Sequence, residues 1–214
     1  MKIERFLRRF SSIALALLLS SCATPDLKHQ VIISAPEQRL ALLEQGRLVA
    51  TYPVSTSKFC LGDRPGSYGT PLGRLQVAQK IGEGAALGTV FRDRRRTGEI
   101  VAINSPGRDP IVTRIIWLRG LERQNANAFR RCIYIHGTPE ERNIGHPASY
   151  GCIRMRSRDI VNLYNFVGRG AEVTIADAPL SAFVPSAPPM NSNTEAGMAV
   201  AQGKAARGHY LGIR

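Results

Sequence analysis

The chain has 214 residues and a formal net charge of +13, and 43% of its residues are hydrophobic. This length allows one domain with tails or two small domains, and the apolar fraction excludes a wholly disordered chain. The 4 cysteines are too few for a disulfide scaffold. No apolar run reaches the roughly 20 residues that span a bilayer, which excludes a polytopic membrane protein. The positive charge predicts anionic surroundings without choosing among nucleic acid, a membrane face and an acidic polymer.

Residues 1–21 have the layout of a secretory signal peptide, in which basic residues precede a short apolar run and then small residues. The segment ends in Leu-Ser-Ser-Cys at 19–22, which resembles the lipobox of bacterial lipoproteins. We therefore expect residues 1–21 to be a lipoprotein signal peptide and Cys22 to be the lipidated residue and membrane anchor. The alternative is an ordinary signal peptide with a chance cysteine at its end.

The expected signal also predicts location and partners. No Asp follows Cys22, which resembles the outer-membrane default of Gram-negative lipoproteins rather than inner-membrane retention. We expect a lipid-anchored protein on the periplasmic face of the outer membrane. Loss of residues 1–21 removes four basic residues and one acidic residue, so the mature chain keeps a charge of +10. Export, and a sequence without a basic motif interleaved with aromatics, predict that nucleic acid is not a partner.

The mature chain predicts a β-rich domain over residues 30–176, after a short tether at 22–29. Apolar and polar residues alternate along the returning arm of 31–54, which predicts a hairpin. Residues 55–73 are rich in Gly and Pro turns, and 82–98 are predicted to form a loop. Ile and Val content predicts further strands at 75–81, 99–104, 111–118, 132–136 and 171–176.

One helix is predicted, over residues 158–167. Its apolar residues fall on one stripe, made of Ile160, Leu163, Tyr164 and Val167. Ser157 is the expected N-cap, and Gly168 suits a left-handed C-cap. From residue 177 the composition changes to Ala, Pro, Ser, Asn and Gly, so 177–214 is expected to be a tail with little packed structure. The predicted fold class is mainly β with one late helix.

Two residues with complementary chemistry lie near the end of the predicted domain. His136 ends a predicted strand, and Cys152 lies just before the predicted helix. A thiolate is the strongest common side-chain nucleophile, and a nearby imidazole lowers the pKa of a thiol and carries protons. Gly137 and Gly151 flank the pair, so the backbone can approach a substrate closely there. Amides near Gly151 can face a developing oxyanion.

The residues alone leave other interpretations open. A free cysteine is commonly a small buried apolar residue, so one His–Cys pair is weak evidence of catalysis. A zinc site from His136, His146 and Cys152 would lack paired ligand motifs and a clear fourth ligand. We therefore expect no metal and no cofactor.

The segment from 136 to 154 resembles the signature of the L,D-transpeptidase family. In that family a His-Gly motif precedes a Ser-x-Gly-Cys motif, which is followed by Arg or Asn. Here the motifs are His136-Gly137 and Ser149-Tyr150-Gly151-Cys152, with Arg154 after them.

Upstream segments resemble the same family. Residues 38–46 are similar to its opening hairpin, 52–57 to its second strand, and 69–73 to its Thr-Pro-x-Gly turn. The resemblance covers about residues 30–176. It implies a β-sandwich of mixed sheets, with one helix after the catalytic cysteine.

The resemblance also implies roles for single residues. Cys152 is the expected nucleophile, and His136 the general base and acid. The carbonyl of Gly137 is expected to orient the imidazole, and amides near Gly151 to form the oxyanion hole. The order of His before Cys also differs from that of papain-like hydrolases.

Three residues are expected on the substrate side of the site. Ser149 shapes the turn before the cysteine, and Arg154 orders the loop or meets a substrate carboxylate. Tyr150 stands where many relatives have a second His. Because Tyr is neutral at pH 7 it cannot act as a second base, and it is expected to stack on substrate or donate a hydrogen bond.

The implied reaction is a two-step acyl transfer on peptidoglycan stem peptides. Cys152 attacks the amide between diaminopimelate and the terminal D-Ala of a tetrapeptide stem, and an amine then resolves the thioester. Water as the acceptor would make the same site a carboxypeptidase or endopeptidase, and a non-catalytic wall-binding lipoprotein is the alternative from another class. The two other cysteines, Cys60 and Cys132, are expected either to pair or to remain as two buried thiols. The oligomeric state is left open.

Overall fold

The structure is a computed structural model that describes residues 24–184 of the chain. The expected signal peptide, the lipidation site at Cys22 and positions 185–214 of the expected tail lie outside these residues. Within the described range no helix is long and apolar enough to cross a membrane.

Ten strands and one α-helix are formed by the described residues, which confirms the mainly β class. The strands are β1 (His29–Ser34), β2 (Arg39–Glu44), β3 (Arg47–Pro53), β4 (Gly73–Ile81), β5 (Thr89–Arg92), β6 (Arg95–Ile100), β7 (Ile111–Gly120), β8 (Tyr134–Gly137), β9 (Ile153–Met155) and β10 (Glu172–Ala176). The helix, α1 (Ser157–Phe166), follows β9.

All ten strands belong to one mixed sheet. Strands β1 and β10 pair in parallel, as do β8 and β9, and the other pairs are antiparallel. The strands run in the order β3-β2-β1-β10-β4-β7, and β8 and then β9 continue from β7. Ser55, just after β3, exchanges backbone hydrogen bonds of 3.0 and 2.9 Å with Arg154 of β9. The sheet therefore returns to its starting edge and encloses the main core.

The two faces of β8 and β9 carry different clusters. Ile135 and Ile153 point into the main core, where they join Ile160 and Leu163 of α1. Successive residues of a strand point to opposite faces, so the neighbours of these isoleucines face away from that core. On the opposite face lies a second, smaller apolar cluster of buried side chains, made of Ala85, Phe91, Ile115 and Tyr134. The predicted site thus lies on the face that α1 does not cover.

The ends of α1 differ from the prediction. Ser157 does not cap the helix, because its hydroxyl lies 2.9 Å from that of Thr113, and the carboxylate of Glu141 accepts its amide at 2.7 Å. Gly168 has no left-handed conformation, and its amide donates to the carboxylate of Asp26 at 2.6 Å. Residues distant in sequence therefore satisfy both ends, which local capping rules do not anticipate.

The loop predicted at 82–98 is wrong in part, because it contains β5 and much of β6. The strand predicted at 99–104 is wrong beyond Ile100, where β6 ends. A two-residue turn joins the strands at Asp93 and Arg94, with φ of 50° and 66°. Asp-Arg lacks the Asn-Gly signal of such turns, and every residue of β6 is exposed, so no apolar alternation marks the strand.

The described part of the expected tail is packed on the sheet. A 3-10 turn spans Leu180–Ala182. Leu180 and Val184 contact a small cluster on β1 and β2 that contains Ile32, Ala41 and Leu43.

Candidate active site

Strands β8 and β9 bring His136 and Cys152 to one face of the sheet. The strands are parallel neighbours, and His136 is in register with Arg154. Cys152 lies two residues before Arg154, so the two side chains point to the same face of the sheet. His136 and Cys152 are therefore diagonal neighbours across adjacent strands.

His136 is held as a buried neutral imidazole. The residue is 5% exposed, and its Nδ1 is 2.8 Å from the carbonyl oxygen of Gly137. A carbonyl only accepts hydrogen bonds, so Nδ1 carries the hydrogen and Nε2 is left as a proton acceptor. Burial is the largest cause that lowers the pKa of His136 to about 4; the Gly137 carbonyl opposes this shift, and the charge of Arg154 adds to it.

The thiol of Cys152 points to the main chain of β8 rather than to the imidazole. Its S–H donates to the carbonyl oxygen of Cys132 at 3.4 Å, and the amide of Tyr134 donates to its sulfur, also at 3.4 Å. Among the hydrogen bonds between residues 24 and 184, none joins this sulfur to His136. Cys152 is half-buried and borders the smaller apolar cluster.

The protonation of the thiol differs from the expectation. Burial raises the pKa of the Cys152 thiol to about 11, against smaller lowering contributions from the Tyr134 amide and the Arg154 charge. The expectation that the imidazole lowers this pKa is therefore wrong for this arrangement, because the sulfur lies against apolar groups and makes no hydrogen bond to His136. The resting pair is a neutral thiol beside a neutral imidazole.

Ser149 holds the turn before Cys152 from the inside. It is 0% exposed, its hydroxyl donates to the carbonyl oxygen of Cys152 at 2.5 Å, and it accepts the amide of Gly151 at 3.1 Å. The structure thus places Ser149 within the turn, without exposed surface for a substrate. The amide of Gly151 is engaged, whereas that of Cys152 has no acceptor among the described residues.

The two glycines of the site are required by packing within the protein. A Cβ at Gly137 would lie 2.7 Å from the carbonyl oxygen of Val112 and 3.3 Å from Ile160 of α1. Gly151 has a φ of +116°, and a Cβ there would lie 3.0 Å from the carbonyl oxygen of Gly69. Close contact with the protein itself therefore accounts for both glycines.

Arg154 is committed to an ion pair inside the protein. Its Nη1 lies 2.7 Å from Oδ2 of Asp109, and the two side chains are 11% and 15% exposed. Thr138 Oγ1 donates to the other carboxylate oxygen at 2.5 Å. This pair ties β9 to the segment before β7, so the guanidinium orders the wall of the site.

A second buried ion pair fastens the loop after β3 to the segment before β8, and a hydrogen bond from the same loop reaches the turn before Cys152. Nη1 of Arg131 lies 2.7 Å from Oδ1 of Asp63, with side chains 11% and 2% exposed. Nη2 of Arg131 donates to the carbonyl oxygen of Gly69 at 2.7 Å. The hydroxyl of Thr70 donates to the carbonyl oxygen of Gly151 at 3.1 Å. The loop and the cysteine turn are therefore held as one unit.

Sequence reasoning missed Asp63, Asp109 and Arg131. Asp63 lies in a Gly-rich turn and Arg131 between two predicted strands, so no spacing in the sequence relates the two. Their pairing depends on the tertiary fold alone.

Replacing Arg131 by Met should destabilise the domain by about 3–5 kcal/mol, because it leaves the Asp63 carboxylate buried without its cation. At this size that loss corresponds to a Tm lower by about 10 °C, which differential scanning calorimetry measures. Arg74→Met is the matched control, since it removes an exposed guanidinium paired with Glu172. Equal Tm values for the two variants would contradict the structural importance of the buried pair. Asp63→Asn combined with Arg131→Met should recover part of the loss.

Tyr150 lies at the surface beside the cysteine turn. It is 56% exposed, its ring centroid is 5.3 Å from that of Phe59, and its hydroxyl is 3.2 Å from Nζ of Lys58. It is therefore accessible to a ligand at the site.

The remaining cysteines and His146 are not assembled into a further centre. Cys60 is exposed and Cys132 partly exposed, and both are free thiols, so they are neither paired nor buried. His146 is exposed. Between residues 24 and 184 no group of three or more His, Cys, Asp and Glu side chains is placed to hold a metal ion.

Known proteins resemble this chain in sequence and, more distantly, in structure. The YkuD protein of Bacillus licheniformis is 26% identical over 161 residues, which cover 75% of this chain and 73% of that protein. The YqjB protein of Bacillus subtilis is 29% identical over 147 residues, or 69% of this chain and 70% of that protein.

Two solved L,D-transpeptidases illustrate the structural similarity. The structure from Mycobacterium smegmatis has a TM-score of 0.45 and 16% identity, covering 70% of this chain and 58% of that chain. The structure from Xylanimonas cellulosilytica has a TM-score of 0.45 and 19% identity, covering 72% and 62%. The chain thus spans less than two thirds of either solved structure.

The family is decided by the sequence match instead. The model of the YkuD family, described as the L,D-transpeptidase catalytic domain, matches residues 28–175. That range includes the helix, both motifs around the thiol and the imidazole, and all of the strands except the last residue of β10. The chain therefore belongs to the YkuD family of L,D-transpeptidase catalytic domains.

Proposed function

We propose that this protein is a peptidoglycan L,D-transpeptidase that works through a thioester on Cys152. The observation that carries the proposal is the register of β8 and β9, which puts a half-buried thiol and an imidazole with a free Nε2 on one face of the sheet. Family membership supports the same reaction class.

The first step begins with a change in the Cys152 side chain. Rotation about χ1 takes the sulfur away from the Cys132 carbonyl and toward Nε2 of His136. The sulfur then attacks the carbonyl carbon of the amide between diaminopimelate and D-Ala, and the thiol proton passes to Nε2. As the C–N bond breaks, His136 gives this proton to the departing amine of D-Ala. A thioester remains on Cys152.

Fixed dipoles and charges assist this step. The Cys152 amide, which has no acceptor within the described residues, is a donor for the oxyanion. The hydrogen bond from Nδ1 to the Gly137 carbonyl stabilises the imidazolium while it holds the proton. Proton transfer occurs during attack rather than before it, because both resting groups are neutral.

The second step returns the enzyme to its starting state. An amine from a neighbouring stem attacks the thioester carbonyl, His136 accepts a proton from it, and the C–S bond breaks. The sulfur takes the proton back and the new amide leaves. Water in place of the amine gives a hydrolysed stem instead, and the same residues would serve a carboxypeptidase or endopeptidase.

Product analysis tests the proposal directly. The purified protein is incubated with tetrapeptide muropeptides, and D-Ala and cross-linked dimers are measured by liquid chromatography and mass spectrometry. We expect D-Ala release together with dimers, and a carbapenem adduct on the peptide that contains Cys152. D-Ala release without dimers would assign hydrolysis. Retention on sacculi with neither D-Ala release nor an adduct would contradict catalysis and favour a wall-binding protein.

The proposed location follows from the sequence alone. We propose that Cys22 carries a lipid that anchors the protein at the periplasmic face of the outer membrane, beside a wall whose carboxylates attract a chain of net positive charge. A Cys22→Ser protein should lose acyl labelling and membrane association. If both persist, the anchor lies elsewhere.

A further inference from the structure

Three aromatic side chains form an exposed cluster beside the cysteine turn. Phe59, Tyr68 and Tyr150 are 51%, 56% and 56% exposed. Their ring centroids are 5.6, 5.3 and 5.8 Å apart, so each ring contacts the other two. We name these three rings the aromatic platform.

One cation lies on the platform without a carboxylate partner. Nζ of Lys58 is 4.6 Å from the ring centroid of Tyr150 and 5.3 Å from that of Phe59, and it is 3.2 Å from the Tyr150 hydroxyl. None of the ion pairs formed within residues 24–184 includes Lys58. The surface thus combines apolar rings with an uncompensated positive charge.

The backbone fixes the platform against the turn that precedes Cys152. The amide of Lys58 donates to the carbonyl oxygen of Ser149 at 3.1 Å. The carbonyl oxygen of Tyr68 lies 3.3 Å from the position that a Cβ of Gly151 would take. Cys152 is the next residue, so a ligand on the platform lies beside the turn that carries Cys152.

Tyr68 adopts a backbone conformation that is unusual for its type. Its φ is 55°, in the left-handed region that bulky residues rarely occupy, and its carbonyl accepts the Ser57 hydroxyl at 2.7 Å. Such conformations cost free energy and cluster at functional sites. The Tyr68 ring lies edge-on to that of Tyr150, at an interplanar angle of 87°.

We propose that the aromatic platform and Lys58 bind the acyl-donor stem peptide, with the Lys58 ammonium on a carboxylate of the stem outside the scissile bond and the rings against its carbon chain. This inference rests on the proposed function for the identity of the peptide. Charge complementarity selects an anionic ligand, and the contact between the platform and the cysteine turn selects the donor, whose acyl group becomes bonded to Cys152. The surface therefore distinguishes free-carboxylate stems from amidated ones.

Binding to the full-length Cys152→Ala protein tests the inference without requiring turnover. The probes are a diaminopimelate-containing tetrapeptide and the same peptide amidated at carboxyl groups outside the scissile bond, titrated calorimetrically. Lys58→Gln should raise the Kd of the free-carboxylate peptide about three- to fivefold and leave that of the amidated peptide unchanged. Lys58→Arg should restore binding. Phe59→Ala should weaken both peptides by a similar factor.

A matched control and a second peptide complete the experiment. Lys28→Gln removes an equal charge near β1 and should leave both Kd values unchanged. Equal effects of Lys58→Gln on the two peptides, or none, would overturn the carboxylate contact. A tripeptide stem keeps the acyl part of the donor without its leaving group, so Lys58→Gln should raise its Kd by a similar factor. An unchanged Kd of the tripeptide would contradict the contact between Lys58 and the acyl part of the donor. If the wild-type protein released no D-Ala, that result would instead contradict the proposed function.

Discussion

Cys152→Ala should abolish D-Ala release, dimer formation and the carbapenem adduct. Removal of the nucleophile from a covalent mechanism lowers the rate on the order of 10⁶-fold, which is below detection in a muropeptide assay. The fold should persist, because the sulfur is half-buried and its two contacts are weak main-chain contacts. Intact-mass spectrometry and D-Ala quantification measure the loss, and circular dichroism checks the fold.

Cys60→Ala is the control for this experiment. Cys60 is an exposed free thiol, so its removal should leave the product yield and the adduct unchanged. Residual D-Ala release by the Cys152→Ala protein at a tenth of the wild-type rate or more would rule out a thioester at this position. A carbapenem adduct on Cys132 in the Cys152→Ala protein would show that Cys152 is not the only reactive thiol and would contradict its assignment as the nucleophile.

His136→Ala should lower the rate of carbapenem acylation by about 10²- to 10⁴-fold, because no base remains to accept the thiol proton. The loss of rate should be larger than in an enzyme whose cysteine is already a thiolate. The Cys152 pKa of about 11 keeps this thiol protonated at neutral pH, so it needs a base to accept its proton. Stopped-flow absorbance of the β-lactam measures the rate. His146→Ala removes an exposed imidazole from the same stretch of chain and should change nothing.

The pH profile of acylation carries the same information with a definite sign. Burial lowers the pKa of His136 to about 4, so the imidazole is neutral and able to accept a proton at every pH above that value. The wild-type rate should stay level from about pH 8 to pH 5 and fall as the pH passes through about 4, where the imidazole becomes charged. In His136→Ala this acid limb should be missing. A wild-type limb near pH 6.5 would show that the imidazole is solvated in the working enzyme.

The sequence and the tertiary structure contributed different kinds of information about the fold. Alternation and Ile and Val content located β1, β2, β4 and β7, since those strands bury one face or both and their apolar residues reflect this burial. They did not locate the β5–β6 hairpin, because β6 is exposed along its whole length and carries no apolar period. The helix was predicted from its stripe, but its two ends were not, because Glu141 and Asp26 reach them from distant parts of the chain.

By itself, the sequence determined the family and the pair of residues with the reactive chemistry. A thiol, an imidazole and their flanking glycines occur in a fixed order, and residue types and short spacings are properties that a sequence carries directly. Only the tertiary structure decided which way the Cys152 sulfur points, how far its pKa is raised, and that Arg131 and Asp63 join two loops. These properties depend on what surrounds each group in three dimensions, and burial and Coulomb interaction are set by neighbours that lie far apart along the chain.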